Sequence, residues 1–291
     1  MRSRTAELEL DSPSIVMAKA LVSFYRFWHG TLHLPGAGKL LSWAAGRNRE
    51  LQSFRLSIPR IGETAVDFRD NSAFYWLNCL LGDRAEEHGL NVVIRRYLRP
   101  ESTFWDVGAN AGLISALVFA SDPTVNIISI EPNPSLAARL RLLFANHNRV
   151  LVLERGLSAI NGEASLFIPN GASSVGTLEA REGALGKTVK VLLSRGDTLL
   201  DEFPGWPPPA LIKIDVEGHE SAVFQGLTGI IYDHRPIIVF EHLFLLDEIV
   251  EQLTPEGYER FSIHDETGEL IPRIDRRLSH NSLLLPVEHV G

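Results

Sequence analysis

Three short stretches of the chain carry residues whose types and spacing can do chemistry. The first is Phe104-Trp105-Asp106-Val107-Gly108-Ala109-Asn110-Ala111-Gly112. It reads as a buried strand, a tight glycine turn and the start of a helix running from about Gly112 to Ser121. Gly108 and Gly112 lack a Cβ, so the backbone can turn sharply and a ligand can sit against it. The helix that follows points free N–H groups and its positive dipole end at whatever fills the turn. Asn110 stands where the dinucleotide pattern G-x-G-x-x-G wants its second glycine, which counts against an NAD-linked oxidoreductase. The second stretch is Glu131-Pro132-Asn133, closing the apolar run Val125 to Ile130. A carboxylate at the tip of the second strand is placed to accept hydrogen bonds from both hydroxyls of a ribose. Asp106 suits a ligand with a cationic amino end rather than a pyrophosphate. Asp106 and Glu131 could simply cap the following helices, but the glycine turn between them favours ligand contact. Together these features point to S-adenosylmethionine, held by Asp106, Gly108, Asn110, Gly112, Glu131 and Asn133. Ser158 either lies near the adenine or closes a turn before Asn161-Gly162.

The third stretch is Ile212-Lys213-Ile214-Asp215-Val216-Glu217-Gly218-His219-Glu220. Asp215 ends a strand, Glu217-Gly218-His219 form a turn, and Glu220 opens a helix, where a carboxylate is favourable without further role. Glu241-His242 ends the next strand. Methyl transfer requires an acceptor oxygen aligned with the methyl carbon and a way to remove its proton. Asp215 and His219 each suit the base, with Glu217, Glu241 and His242 as neighbours. Alternatively Asp215, Glu241 and His242 hold Mg²⁺, which acidifies the hydroxyl. The Glu241-His242 pair lacks the paired hard oxygens Mg²⁺ prefers, so the metal-free version is favoured and no metal ligand is assigned. Lys213 is costly as a lone ammonium inside a strand, and it shares a face with Asp215, so an ion pair is expected. His29, His33, His88 and His147 have no partners at recognisable spacing and read as surface or packing residues.

Positioning these groups takes a parallel sheet. From Glu101 onward strand and helix patterns alternate, the signature of an α/β fold with helices on both faces. Seven strands are expected at Thr103–Val107, Asn126–Glu131, Val150–Arg155, Leu211–Asp215, Pro236–Glu241, Tyr258–His264 and Ser282–Leu285. Helices are expected at Pro134–Asn146, His219–Leu227 and Leu245–Leu253. Between the third and fourth strands lies an insertion with strands Ala164–Ile168 and Thr188–Leu193. Ligands in such sheets bind at the carboxyl ends of the strands where strand order reverses. That rule gathers Asp106, Glu131, Ser158, Asp215 and Glu241 at one edge.

Residues 1 to about 100 read as a helical and hairpin extension, a lid or docking region ahead of a catalytic domain over 101–291. Its elements are an apolar helix over Ile15–Trp28, a short helical piece over Lys39–Ala45, a hairpin from Phe54–Ile58 and Thr64–Phe68, and a helix over Ala85–Leu98. Lys19, Ser23 and Arg26 stripe the first helix, which is too short to span a bilayer. It suits docking on the catalytic domain or a second subunit, or lying on a membrane surface with Tyr25 and Trp28 at headgroup level. The net charge of −8 argues against a dedicated nucleic-acid binder. A single cysteine, Cys79, in an apolar run excludes an internal disulfide and fits a cytoplasmic location.

The blocks Asp106 to Gly112, Glu131-Pro132-Asn133-Pro134 and Ile212 to Glu220 resemble the signature of the FkbM family of S-adenosylmethionine-dependent methyltransferases. Gly156 to Glu163 and Asn281 to Pro286 resemble further family segments. The likeness covers roughly Glu101 to Pro286 and carries little of the extension. It implies a Rossmann-like class I methyltransferase fold with a seven-stranded, mostly parallel sheet. It also implies O-methylation, typically of a sugar, glycan or polyketide-type natural product. A catalytically silent module of the same fold, used for interaction, is the alternative.

Overall fold

A computed structural model describes residues 88–290 apart from 170–175, 179–184, 243–244, 246 and 274–275. It also describes residues 54–58, 60–67, 69 and scattered positions between 20 and 47. The apolar helix expected over Ile15–Trp28 lies largely outside the described residues, as does Cys79.

The described chain begins with the antiparallel hairpin β1 (Phe54–Ile58) and β2 (Gly62–Val66), whose second strand starts two residues earlier than expected. Helix α1 (His88–Tyr97) follows, then β3 (Thr103–Val107), α2 (Leu113–Ser121), β4 (Asn126–Ile130), α3 (Pro134–Leu143) and β5 (Val150–Leu153). The insertion comprises β6 (Gly156–Leu157), β7 (Gly162–Pro169) and β8 (Gly186–Ser194). Short α4 (Leu199–Glu202) leads to β9 (Leu211–Ile214), α5 (Glu220–Gly226), α6 (Thr228–His234), β10 (Ile237–Glu241) and α7 (Asp247–Gln252). The chain closes with β11 (Tyr258–Ile263), β12 (Leu270–Ile271) and β13 (Asn281–Pro286).

All seven expected strands join one sheet in the order β12-β11-β13-β10-β9-β3-β4-β5, where β12 is a short unexpected eighth strand. Strands β10, β9, β3, β4 and β5 run parallel, while β13 is antiparallel to both neighbours. Strand order reverses between β3 and β9, which sets the ligand edge at their carboxyl ends. Period-two alternation divides the core between the two faces. Phe104, Ile127, Leu211 and Val239 pack with α1, α2 and α3 on one face. Trp105, Ile128, Ile212, Ile238 and Phe240 pack with α4, α5, α6 and α7 on the other. Both faces are thus covered, as parallel strands require. The insertion forms its own three-stranded sheet in the order β6-β8-β7.

Two polar contacts among the described residues tie the hairpin to the domain. Arg60 Nη1 donates to the carbonyls of Ala120 (2.7 Å) and Ser121 (3.2 Å), at the C-terminal end of α2 where a cation is favourable. The imidazole Nε2 of His147 lies 3.0 Å from the carbonyl of Ile61, and its ring packs against Phe119. No helix among the described residues is long and apolar enough to cross a membrane.

Candidate functional site

The carboxyl ends of β3, β4 and β9 open into one cleft. Val107, Gly108 and Asn110 border it from the glycine turn, and Glu131, Pro132 and Asn133 from the end of β4. Asp215, Val216, Glu217 and His219 border it from the turn after β9. The insertion closes it with Gly156, Leu157, Leu166, Gly176 and Leu178. None of the described residues before Val107 lines it.

The glycine turn has a conformational reason at each position. Gly108 has φ +76°, and a Cβ there would lie 1.8 Å from the Asp215 carbonyl oxygen, so the turns after β3 and β9 approach backbone to backbone. Asn110 also sits at positive φ, +53°, and its side-chain oxygen accepts from the N–H of Ala111 at 2.7 Å. Short polar side chains tolerate that region by such local hydrogen bonds. Glu131 joins this turn to the next one. Its Oε2 accepts from the Asn110 N–H and its Oε1 from the Asn133 N–H, both at 2.8 Å. Burial pushes its carboxyl up to about 7, against the pull of those two hydrogen bonds. Each oxygen keeps a second lone pair, so the carboxylate is fixed in place with acceptor capacity remaining. Asn133 lines the cleft and caps α3, its Oδ1 accepting from the Ser135 N–H at 3.1 Å ahead of Pro134.

Three expected contacts lie away from the cleft. Asp106 is fully buried on the α2 face, its Oδ2 accepting from the backbone N–H (3.1 Å) and hydroxyl (2.6 Å) of Ser115. Its row, shared with Ser129 and Lys213, lies inside the sheet, two residues short of Glu131 and Asp215 at the cleft. Gly112 (φ +90°) is a packing glycine, since a Cβ there would meet Leu140 Cδ2 at 2.4 Å. His242 is fully buried, with Nδ1 2.9 Å from Ser282 Oγ, and burial together with Arg276 lowers its imidazole to about 4. Asp215, Glu241 and His242 are therefore not assembled as metal ligands. No group of three or more His, Cys, Asp or Glu among the described residues is arranged to hold a metal ion.

The remaining candidates converge. Ser158, 4% exposed, does not line the cleft but places Oγ 3.0 Å from Nε2 of His219, which does. Glu217 adopts φ +57° ahead of Gly218 (φ +102°), so two successive residues of the turn that borders the cleft sit at positive φ. Glu220 is buried beneath it, accepting from the N–H groups of Val216 (3.3 Å) and Gly218 (3.2 Å). It therefore ties the turn together as well as opening α5. Glu241 lies outside the lining, and its carboxyl is pushed up to about 8 by burial and by Asp215, Glu217 and Glu220. Lys213 stands behind Asp215, Nζ to Oδ2 3.1 Å, as the shared strand face predicts.

The cleft's apolar wall, Leu157, Leu166 and Leu178, was not legible as a site in the sequence. The alternation of Ala164, Leu166 and Ile168 signals a half-buried strand, but nothing local says what its apolar face covers.

Known proteins bear on this arrangement. The model of the methyltransferase FkbM domain matches residues 106–279. The hexuronic acid methyltransferase AglP of Haloferax volcanii is 32% identical over 162 residues, 54% of this chain and 63% of that protein. A precorrin-6Y C(5,15)-methyltransferase (decarboxylating) of Sinorhizobium sp. is 32% identical over 147 residues, 45% of this chain and 34% of that protein. The chain thus spans less than two thirds of the length of these curated relatives. Among solved structures, methyltransferase FkbM of Methylobacillus flagellatus KT aligns with a TM-score of 0.42 at 16% identity, covering 73% of this chain and 53% of that one. The family match begins at Asp106 and takes in the glycine turn, Glu131 and the whole turn after β9; the chain belongs to the FkbM methyltransferase domain family.

Proposed function

We propose that this chain moves a methyl group from S-adenosylmethionine to a hydroxyl of a sugar, glycan or polyketide-type product. The observation that carries the cofactor is Glu131, a carboxylate clamped by two backbone N–H groups at the cleft wall with acceptor capacity left for a ribose diol. The rest of the lining fits the same molecule. Leu157, Leu166, Leu178 and Pro132 offer an apolar surface to a purine, while Asp215 offers a carboxylate to an amino end. The bound cofactor would supply an electrophilic methyl on a sulfonium, already a good leaving group.

Residues of the turn after β9 act on the acceptor. His219, held through Nε2 3.0 Å from Ser158 Oγ, is the candidate base for the hydroxyl proton. Asp215 orients the cofactor's amino end or takes that proton itself. Glu217 borders the same space, and Glu241 lies close enough to feel both carboxylates. A carbohydrate acceptor agrees with the hexuronic acid methyltransferase among the relatives.

Calorimetry with S-adenosylhomocysteine tests the cofactor. Glu131→Ala should cost roughly 2 to 4 kcal/mol of binding by removing charge-assisted hydrogen bonds to the ribose. Unchanged affinity in that variant refutes the assignment. A methyl-transfer screen against sugars and lipid-linked glycans, repeated with His219→Ala, tests the chemistry. Loss of about a hundredfold in turnover is expected for a histidine base.

A further inference from the structure

The sheet face beneath α2 carries a buried polar row among apolar residues. Ser129 of β4, Asp106 of β3 and Lys213 of β9 stand in register across three neighbouring parallel strands, so their side chains share a face. Helix α2 answers with Ser115, whose hydroxyl lies 2.6 Å from Asp106 Oδ2 and 2.8 Å from Ser129 Oγ. Among the described residues no other lysine or arginine is buried.

Neutralising Asp106 would by itself justify Lys213, but the distances show the ammonium serving more than that. Its Nζ is 3.5 Å from Asp106 Oδ1, an oxygen with no hydrogen bond of its own. It is closer to Asp215 Oδ2, at 3.1 Å, and it donates to the Gly108 carbonyl at 3.3 Å. Those two partners belong to the two turns that border the cleft from β9 and β3. The same two turns touch backbone to backbone where Gly108 meets the Asp215 carbonyl. One cation therefore ties together the glycine turn and the carboxylate facing the ligand, and a fully buried aspartate holds it from behind.

We propose that Lys213 is a positioning residue that fixes the Asp215 carboxylate and the Gly108 turn in a single arrangement at the cleft. Its ammonium touches no ligand; it acts through these two partners. An ammonium suits this place because three partners lie around one point, and its donors rotate to meet them, which a planar guanidinium cannot do. The proposal rests on the cofactor reading above, and the test separates the two.

Lys213→Gln keeps an amide that can donate to Asp106 but carries no charge. It is compared with the unaltered protein by melting, by calorimetry with S-adenosylhomocysteine, and by the ¹³C carboxyl resonance of Asp215 assigned from Asp215→Asn. The expected result is a loss of about tenfold or more in affinity together with a displaced Asp215 resonance. A lowered melting temperature with both readings unchanged overturns the proposal, because Lys213 would then only neutralise Asp106. If Lys213→Gln does not fold, adding Asp106→Asn removes the unpaired buried carboxylate, and the same two readings decide. If the unaltered protein does not bind S-adenosylhomocysteine, the cofactor reading falls. The Asp215 resonance then decides for Lys213 alone: displaced supports it, unchanged overturns it.

Discussion

Glu131 is where residue chemistry and pH meet. Its folded carboxyl titrates near 7 because it is buried, whereas an unfolded glutamate titrates near 4.5. Between those values the native state holds a proton that the unfolded state has released. Stability therefore falls as pH rises from about 4.5 to 7 and levels off above. On the proposed cofactor reading, ligand affinity should run the other way, since only an ionised carboxylate can accept from both ribose hydroxyls. Affinity for S-adenosylhomocysteine should weaken as pH drops through about 7, and in Glu131→Gln this dependence should flatten, both read by calorimetry across pH 5.5 to 8.5. Glu131, Gly108, Asn110 and Asp215 were legible in the sequence because a strand end followed by a tight turn fixes their surroundings locally. Asp106 and His242 lie away from the cleft for different reasons. Asp106 sits inside the sheet, a row short of the strand ends, while His242 turns to the face of Phe240, against Ser282.

At the scale of elements, the two glycines flanking Asn110 should separate in experiment. Gly108→Ala drives a Cβ into the Asp215 carbonyl, backbone that cannot move aside, and adds a left-handed alanine. About 3 kcal/mol or more of stability should go, together with binding. In Gly112→Ala the obstacle is the far end of the Leu140 side chain, so the cost should be about 1 to 2 kcal/mol with binding largely retained. Equal melting temperatures for the two variants would contradict the close approach of the turns after β3 and β9. The insertion explains why part of the site stayed hidden. Its strands β7 and β8 were expected from alternation and they formed, but placement of Leu166 and Leu178 over the cleft depends on packing between segments distant in sequence. Two-residue strands such as β6 and β12 and the single turn of α4 leave too little pattern to detect.

For the whole molecule, alternation of strands and helices fixed the class, a mostly parallel sheet with helices on both faces, while the strand order came from the structure. What the pattern did not reveal is how the N-terminal hairpin docks. Ile58 and Ile61 are buried in the core shared by α1, α2 and α3, and Arg60 reaches the end of α2. Arg60→Ala should lower the melting temperature by about 2 to 4 °C without altering S-adenosylhomocysteine affinity, because that contact lies away from the cleft. An unchanged melt would mean that Ile58, Ile61 and His147 hold the hairpin without it. The left-handed turn at Glu217 carries a different consequence, for selection. Glycine relieves a non-glycine residue of roughly 1 to 2 kcal/mol at positive φ and returns about half of that through the freedom of the unfolded chain. Through the backbone, Glu217→Gly should thus favour the folded state by about 0.5 to 1 kcal/mol while stripping an acid from the cleft. A thermostability screen without an activity counter-screen would enrich this substitution early and return robust proteins with impaired turnover.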